Sequence, residues 1–206
     1  MEKLNTYTPK ERNAYLIGLA GQNIIYNIIG AGLAYYLQFT ILIPAATVSI
    51  IMAIARVWDA FNDPMMGTIV DKTRTKIGKC RPYLIAVPIP ILIITVLCYT
   101  NFGFFDPSLG GNFVGKNAAI VIWAAVTYVL WGMTYTVGDI PLWGITALMS
   151  ESAEDRQKLL SLARMIAGIG GGITLVSFQP VALELGKHFA RFYEDTEKVT
   201  AAAAGE

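Results

Sequence analysis

Five apolar stretches, each long enough to span a bilayer, constrain this chain more than any other feature. They cover residues 14–39, 45–70, 82–102, 117–149 and 158–185. A helix needs about 20 mostly apolar residues to cross the hydrocarbon core, and a soluble core has no use for runs of that length. Inside a bilayer the backbone must satisfy its own polar groups, which a helix does within one segment. The fold class expected is therefore an all-α membrane protein. Charge content agrees, at 15% of the 206 residues against about 25% in soluble domains. The first stretch is too long and too far from the N-terminus for a signal peptide, and it lacks a small-residue cleavage site.

The fourth stretch exceeds a span, and Pro141 within it is expected to kink the helix or end its regular part. Gly168, Gly170, Gly171 and Gly172 in the fifth should allow close helix approach. No linker divides the chain. Residues 1–185 read as one helical bundle, and residues 186–206, polar and then alanine-rich, as an external loop or tail.

Several chemistries are unsupported. Sixteen Lys and Arg against fifteen Asp and Glu leave no basic excess for a nucleic-acid partner. Cys80, Cys98 and His188 lack metal-ligand spacing, so a disulfide framework, a zinc site and Cys–His catalysis find no basis. The Lys and Arg that do occur report orientation. Ten lie in the N-terminal segment, after the second stretch or after the fourth, and four lie on the opposite side. The richer side should be cytoplasmic. A multi-pass protein of the cell membrane with its N-terminus inside and membrane lipid around it is expected.

Charges at membrane depth cost roughly 2.5–3.5 kcal/mol each on insertion scales and mark candidate sites. Arg56, Asp59 and Asp63 stand at i, i+3 and i+7 and share one helix face. Two carboxylates one turn apart in a low-dielectric site share a proton or hold a cation between them. The structural alternative is an ion-pair network with Arg56 and Arg164 and no cation. Asp139 and Arg164 fall in neighbouring stretches and are expected to pair across the bundle, either as a static bridge or as part of a polar cavity for a hydroxyl-rich ligand. Trp131, Tyr135, Asp139 and Trp143 follow at steps of four. Their aromatic faces would stack on a sugar ring while the acid holds hydroxyls; core packing or an interfacial belt is the alternative. Gln22, Asn23 and Asn27 add polar groups to the first stretch, suited to ligand binding or to bonds between helices.

These residues carry a family resemblance. Arg56-Val-Trp-Asp59-Ala-Phe-Asn62-Asp63-Pro64-Met-Met-Gly67 resembles the second-helix signature of the glycoside-pentoside-hexuronide:cation symporters, in the major facilitator superfamily. Tyr128 to Trp143 resembles that family's fourth helix, and Arg164 stands where the family has its fifth-helix arginine. Gly67-Thr-Ile-Val-Asp71-Lys72 and the basic run to Arg81 resemble the superfamily's cytoplasmic loop between helices two and three. The resemblance implies sugar uptake coupled to Na⁺, H⁺ or Li⁺ by alternating access, with no other cofactor. It implies that Asp59, Asp63, Asn62 and Thr136 surround the cation, with Asp59 and Asp63 its metal ligands if the ion is sodium. It implies a sugar site at Asp139, Trp131, Trp143 and Arg164, which Asn23 and Tyr135 would complete from the residue reading above. Asn23 and Gln22 replace an acid and a preceding lysine found in a galactoside-binding member, so no particular sugar is implied. The family has two six-helix bundles. This chain would supply about five helices of the first, which makes it an N-terminal fragment with the missing C-terminal half as its partner. Transport by this length of chain alone is not expected.

Two rivals compete. A membrane phosphotransferase motif is imitated by Ala55-Arg56, Gly67 and Asp71, but its Asp-Gly start, its spacing and its last acid are absent. No enzyme is therefore expected. A non-transporting membrane scaffold subunit is the other rival, and it would tolerate neutral replacements of Asp59 and Asp63.

Overall fold

The computed structural model describes residues 7–204, with the side chains of 179 and 189–204 outside the description. Helices dominate it, and there is no strand among the described residues. Four helical segments are long and apolar enough to cross a membrane: Pro9–Thr40, Ala45–Lys72, Lys116–Met149 and Ala153–Phe178.

Helix α1 (Pro9–Asn27) starts at a capping box. The Thr8 hydroxyl accepts from the Glu11 amide and the Glu11 carboxylate accepts from the Thr8 amide. The segment then widens into two π-helical stretches, Ile28–Leu33 and Tyr36–Thr40. Tyr99 braces the first by donating its hydroxyl to the Ile28 carbonyl at 2.7 Å. Helix α2 (Ala45–Lys72) follows a turn in which Leu42 takes a positive φ of 70°.

The third apolar stretch is not one continuous helix. It forms α3 (Arg81–Ala86) and α4 (Pro88–Cys98), separated at Val87, and ends before residue 102. Pro88 and Pro90 remove two backbone donors close together, which explains the interruption. Helix α5 (Lys116–Met149), by contrast, runs through Pro141 instead of ending there, and Pro141 is fully buried in the packing around it. Helix α6 (Ala153–Ala204) also corrects the sequence reading. The loop expected from residue 186 is helical backbone to Ala204, in keeping with good helix formers such as Ala, Glu and Lys there. Its apolar, membrane-length part ends at Phe178.

Helix α5 is the hub. It packs mainly against α2, then against α4 and α3, and α1 packs along α6. The largest core cluster joins Ile29, Leu33 and Leu37 of the first segment to Val48 and Ile51 of α2 and to Ala124 and Tyr128 of α5. A second cluster seats Tyr15 and Leu19 on Leu159 and Ala163 of α6. Away from these contacts, Ile50, Ile54, Val57, Phe61 and Met65 form an exposed stripe along α2, with Phe61 at 73%. Such a stripe suits hydrocarbon and would be an aggregation liability in water.

Two of the four glycines noted in the fifth stretch sit in the helix contact. A side-chain carbon on Gly170 would meet the Ala20 backbone at 3.4 Å, and one on Gly171 would meet the Asn27 amide at 2.8 Å. Gly168 and Gly172 face open space. The tightest position is Gly32 in α1's first π stretch, where an added carbon would lie 2.4 Å from the Phe178 ring and 2.7 Å from the Tyr99 hydroxyl. Gly32→Ala should therefore destabilise the fold by about 1–3 kcal/mol. Gly172→Ala should be neutral or stabilising by up to about 1 kcal/mol. Thermal unfolding of both variants in lipid nanodiscs checks this, and equal midpoints would refute the close packing of α1 on α6.

Candidate functional site

Three helices bring their polar faces to one cavity. From α1 come Gln22, Asn23 and Tyr26; from α2 come Arg56, Asp59 and Asp63; from α5 come Tyr128, Trp131, Tyr135, Thr136, Asp139 and Trp143. The cavity holds about 310 Å³, at the small end of the ~300–1,000 Å³ usual for small-molecule sites. Helical periodicity explains the convergence, because each helix contributes residues spaced by three or four.

The carboxylates are held differently. Asp59 accepts from Arg56 Nη1 at 3.3 Å, and Arg56 Nη2 donates to the Tyr26 hydroxyl at 3.3 Å. Asp59 also lies against Gly132, where an added side-chain carbon would sit 3.1 Å from its Oδ1. Asp63 accepts from the Thr136 hydroxyl at 3.0 Å, which ties α2 to α5. Asp139 accepts from Trp143 Nε1 at 3.2 Å and from Gln22 Nε2, which also donates to the Tyr135 hydroxyl. Asn23 completes the chain by donating to Gln22 Oε1 at 2.8 Å.

The aromatic wall is ordered by contacts of its own. Trp131 and Tyr135 stack with centroids 4.8 Å apart and planes 16° from parallel, and Tyr26 tilts against Tyr135 at 5.4 Å. Trp131 Nε1 donates to Thr95 Oγ1 on α4 at 3.0 Å, which fixes the indole from behind. On the other side of Gln22, Tyr135 and Asp139 lies a second space of about 540 Å³ between α1, α3, α4 and α5, with Ile25, Ile28, Leu84, Val87 and Ile91 in its lining. Its nearly apolar walls offer little to a hydroxylated ligand.

Eight of the ten expected site residues line the polar cavity: Asn23, Asp59, Asp63, Trp131, Tyr135, Thr136, Asp139 and Trp143. Two do not. Asn62 is buried but outside the lining, with its Nδ2 lacking a partner. Arg164 is exposed on α6 and makes no ion pair among the described residues. The expected Asp139–Arg164 pairing is thus not formed, because Gln22 and Trp143 occupy the carboxylate instead. Tyr26 and Tyr128 were outside the expected set, although they stand three residues from Asn23 and Trp131 on the same faces. Thr95 carried no sequence signal, since its role depends on how α4 meets α5. Thr95→Val should leave the buried Trp131 Nε1 without its acceptor at a cost of about 1–3 kcal/mol. With Trp131 as the sole tryptophan, its emission maximum should shift; an unchanged spectrum would refute the clamp.

The comparisons with known proteins point the same way as the geometry. The sequence profile described as MFS/sugar transport protein matches residues 14–205. The chain is 31% identical over 184 residues to the inner membrane symporter YicJ of Escherichia coli, covering 89% of this chain and 38% of that protein. It is 29% identical over 180 residues to the uncharacterized symporter YnaJ of Bacillus subtilis, covering 87% of this chain and 36% of that protein. The isoprimeverose transporter of Lactiplantibacillus pentosus is 28% identical over 179 residues, covering 87% of this chain and 34% of that protein. The chain therefore spans about a third of the length of these relatives. Their names are those of symporters and transporters, and the family is not enzymatic, which removes the phosphotransferase rival. Helices of membrane length, a polar cavity between them and a profile match over nearly all of the chain lead to one conclusion: this multi-pass membrane protein belongs to the MFS/sugar transport protein family.

Proposed function

We propose that this chain forms the sugar- and cation-binding wall of a sugar symporter that works by alternating access. One observation carries the reading: three carboxylates, one guanidinium and a stacked aromatic pair share a cavity walled by α1, α2 and α5. Asp59 and Asp63 are the proposed ligands of the coupling ion, which is Na⁺, H⁺ or Li⁺, and Thr136 adds an oxygen within reach of Asp63. Oxygen ligands suit such hard cations. Asn62 belongs to this set only if its side chain turns inward. Asp139, Trp143, Trp131, Tyr135 and Asn23 are the proposed sugar contacts, in which carboxylate and amide oxygens accept from hydroxyls while aromatic faces cover the ring. Arg164 reaches the sugar only if α6 rotates.

Cation and sugar are coupled because their ligands share α5. Thr136 bonds Asp63, and Asp139 lies three residues further along the same helix. An ion that draws α2 onto α5 orders the face that meets the sugar, and each ligand tightens the other by the same factor. We place the protein in the cell membrane with its N-terminus cytoplasmic, and assign the facing wall of the cavity to a further half-bundle of a longer protein. The relatives are about two and a half times as long, which supports that assignment.

Sugar binding to the chain in lipid nanodiscs, followed by tryptophan fluorescence, should tighten on adding Na⁺ or on changing pH by a factor within the usual coupling range of about 5–150. Asp59→Asn and Asp63→Asn should each abolish that response, while binding without the ion persists. Full stimulation in both variants would reduce the two acids to a structural role, as a scaffold would have it. Orientation has its own check. Ser108 and Ser152 flank opposite ends of α5. A cysteine at Ser108 should label from outside intact cells and one at Ser152 should not; the reverse pattern overturns the assignment.

A further inference from the structure

The lining of the cavity is unbalanced in two ways. Asp59, Asp63 and Asp139 bring three formal negative charges, and Arg56 is the only basic side chain among the lining residues. One monovalent coupling ion would still leave a negative excess. The hydrogen-bond inventory leans the same way. Gln22 spends both amide protons on Tyr135 and Asp139, and Asn23 donates to Gln22 and to the Leu19 carbonyl. Trp143 donates to Asp139 and Trp131 to Thr95. Among the lining N–H donors only Arg56 has protons to spare, and its side chain is 56% exposed. Apart from Arg56 and the Tyr26 and Tyr128 hydroxyls, the interior thus offers a ligand acceptors and few free donors.

We infer that the cavity selects sugars and glycosides without negative charge and disfavours their uronates, because its lining carries a net negative charge and Arg56, its one cation, is already paired with Asp59. This inference rests on the sugar-transport reading and narrows it to a substrate class. A hydroxyl donates to the waiting carboxylates, whereas a carboxylate on the ligand only accepts and adds like charge in a site screened less than bulk water. Specificity then comes from repulsion and unpaired groups as much as from attraction. Gln22 is the residue that sets it, since it stands against Asp139 as a neutral donor.

Matched pairs of 4-nitrophenyl glycosides and their C6-oxidised uronates, in the gluco and galacto series and both anomers, supply the test. Nitrophenyl quenching of tryptophan emission reads their affinity for the chain in nanodiscs with Na⁺ present. At least one neutral member should bind, and its uronate should bind at least about tenfold more weakly. Gln22→Lys, which sets a cation beside Asp139, should narrow that ratio by about tenfold. A uronate that binds the unaltered protein as well as its neutral partner overturns the inference and leaves the sugar reading standing. An unchanged ratio in Gln22→Lys overturns the electrostatic basis. If no glycoside in the panel binds, the sugar reading falls and the inference with it.

Discussion

The contact between Asp139 and its donors organises this bundle. The carboxylate sits in α5, the helix against which most others pack, and it takes hydrogen bonds from Gln22 of α1 and Trp143 of its own helix. A carboxylate has no stable place against lipid, so α5 must turn this face inward. Once it does, Tyr135 and Trp131, one and two turns earlier, line the same cavity, and Thr136 meets Asp63 of α2. The orientation of α5, and with it the entry of α1 and α2, thus follows from where its acid can be satisfied. The apolar stripe through Ile50, Ile54 and Phe61 is the complementary result on the outer side of α2.

The site combines polar groups that are tightly held with a wall that is braced from outside. Thr95 does not line the cavity, yet it holds the Trp131 indole from α4. The α3–α4 break lies close by, and there Gly138 of α5 admits Val87, whose Cγ1 lies 2.8 Å from where a glycine side-chain carbon would be. Bracing of this kind, together with the stack on Tyr135, holds the Trp131 indole in one orientation at the edge of the cavity.

Much of this was legible in the sequence, for stated physical reasons. The spacing of Arg56, Asp59 and Asp63 predicted one face, and all three line the cavity. The four-residue steps from Trp131 to Trp143 did the same for α5. Asp139 and Arg164 show where such reading stops. Periodicity gives the face of a residue on its own helix but not the rotation of that helix against its neighbour, so a plausible acid–base pair dissolved when Gln22 proved nearer. Asn62 fails likewise, buried one residue away from the face that opens on the cavity. The interruption at Val87 went unread although Pro88 and Pro90 carry a signal for it, and the helical course beyond residue 186 ran against a reading that gave polarity more weight than helix propensity.

The two π-helical stretches in the first span have a consequence for how its residues are counted. A π turn accommodates an extra residue, so Ile28–Leu33 and Tyr36–Thr40 reset the angular phase of everything beyond them. In an α-helix each residue advances the face by about 100°. Were the stretch 28–33 to tighten into regular α geometry with every residue kept, the segment beyond it would swing by roughly that angle. Leu33, Leu37 and Ile41, all buried in the largest core cluster, would then exchange places with residues that now face outward. Numbering along α1 is thus in register with the core only while the bulge persists, and Tyr99, holding the Ile28 carbonyl, keeps that register.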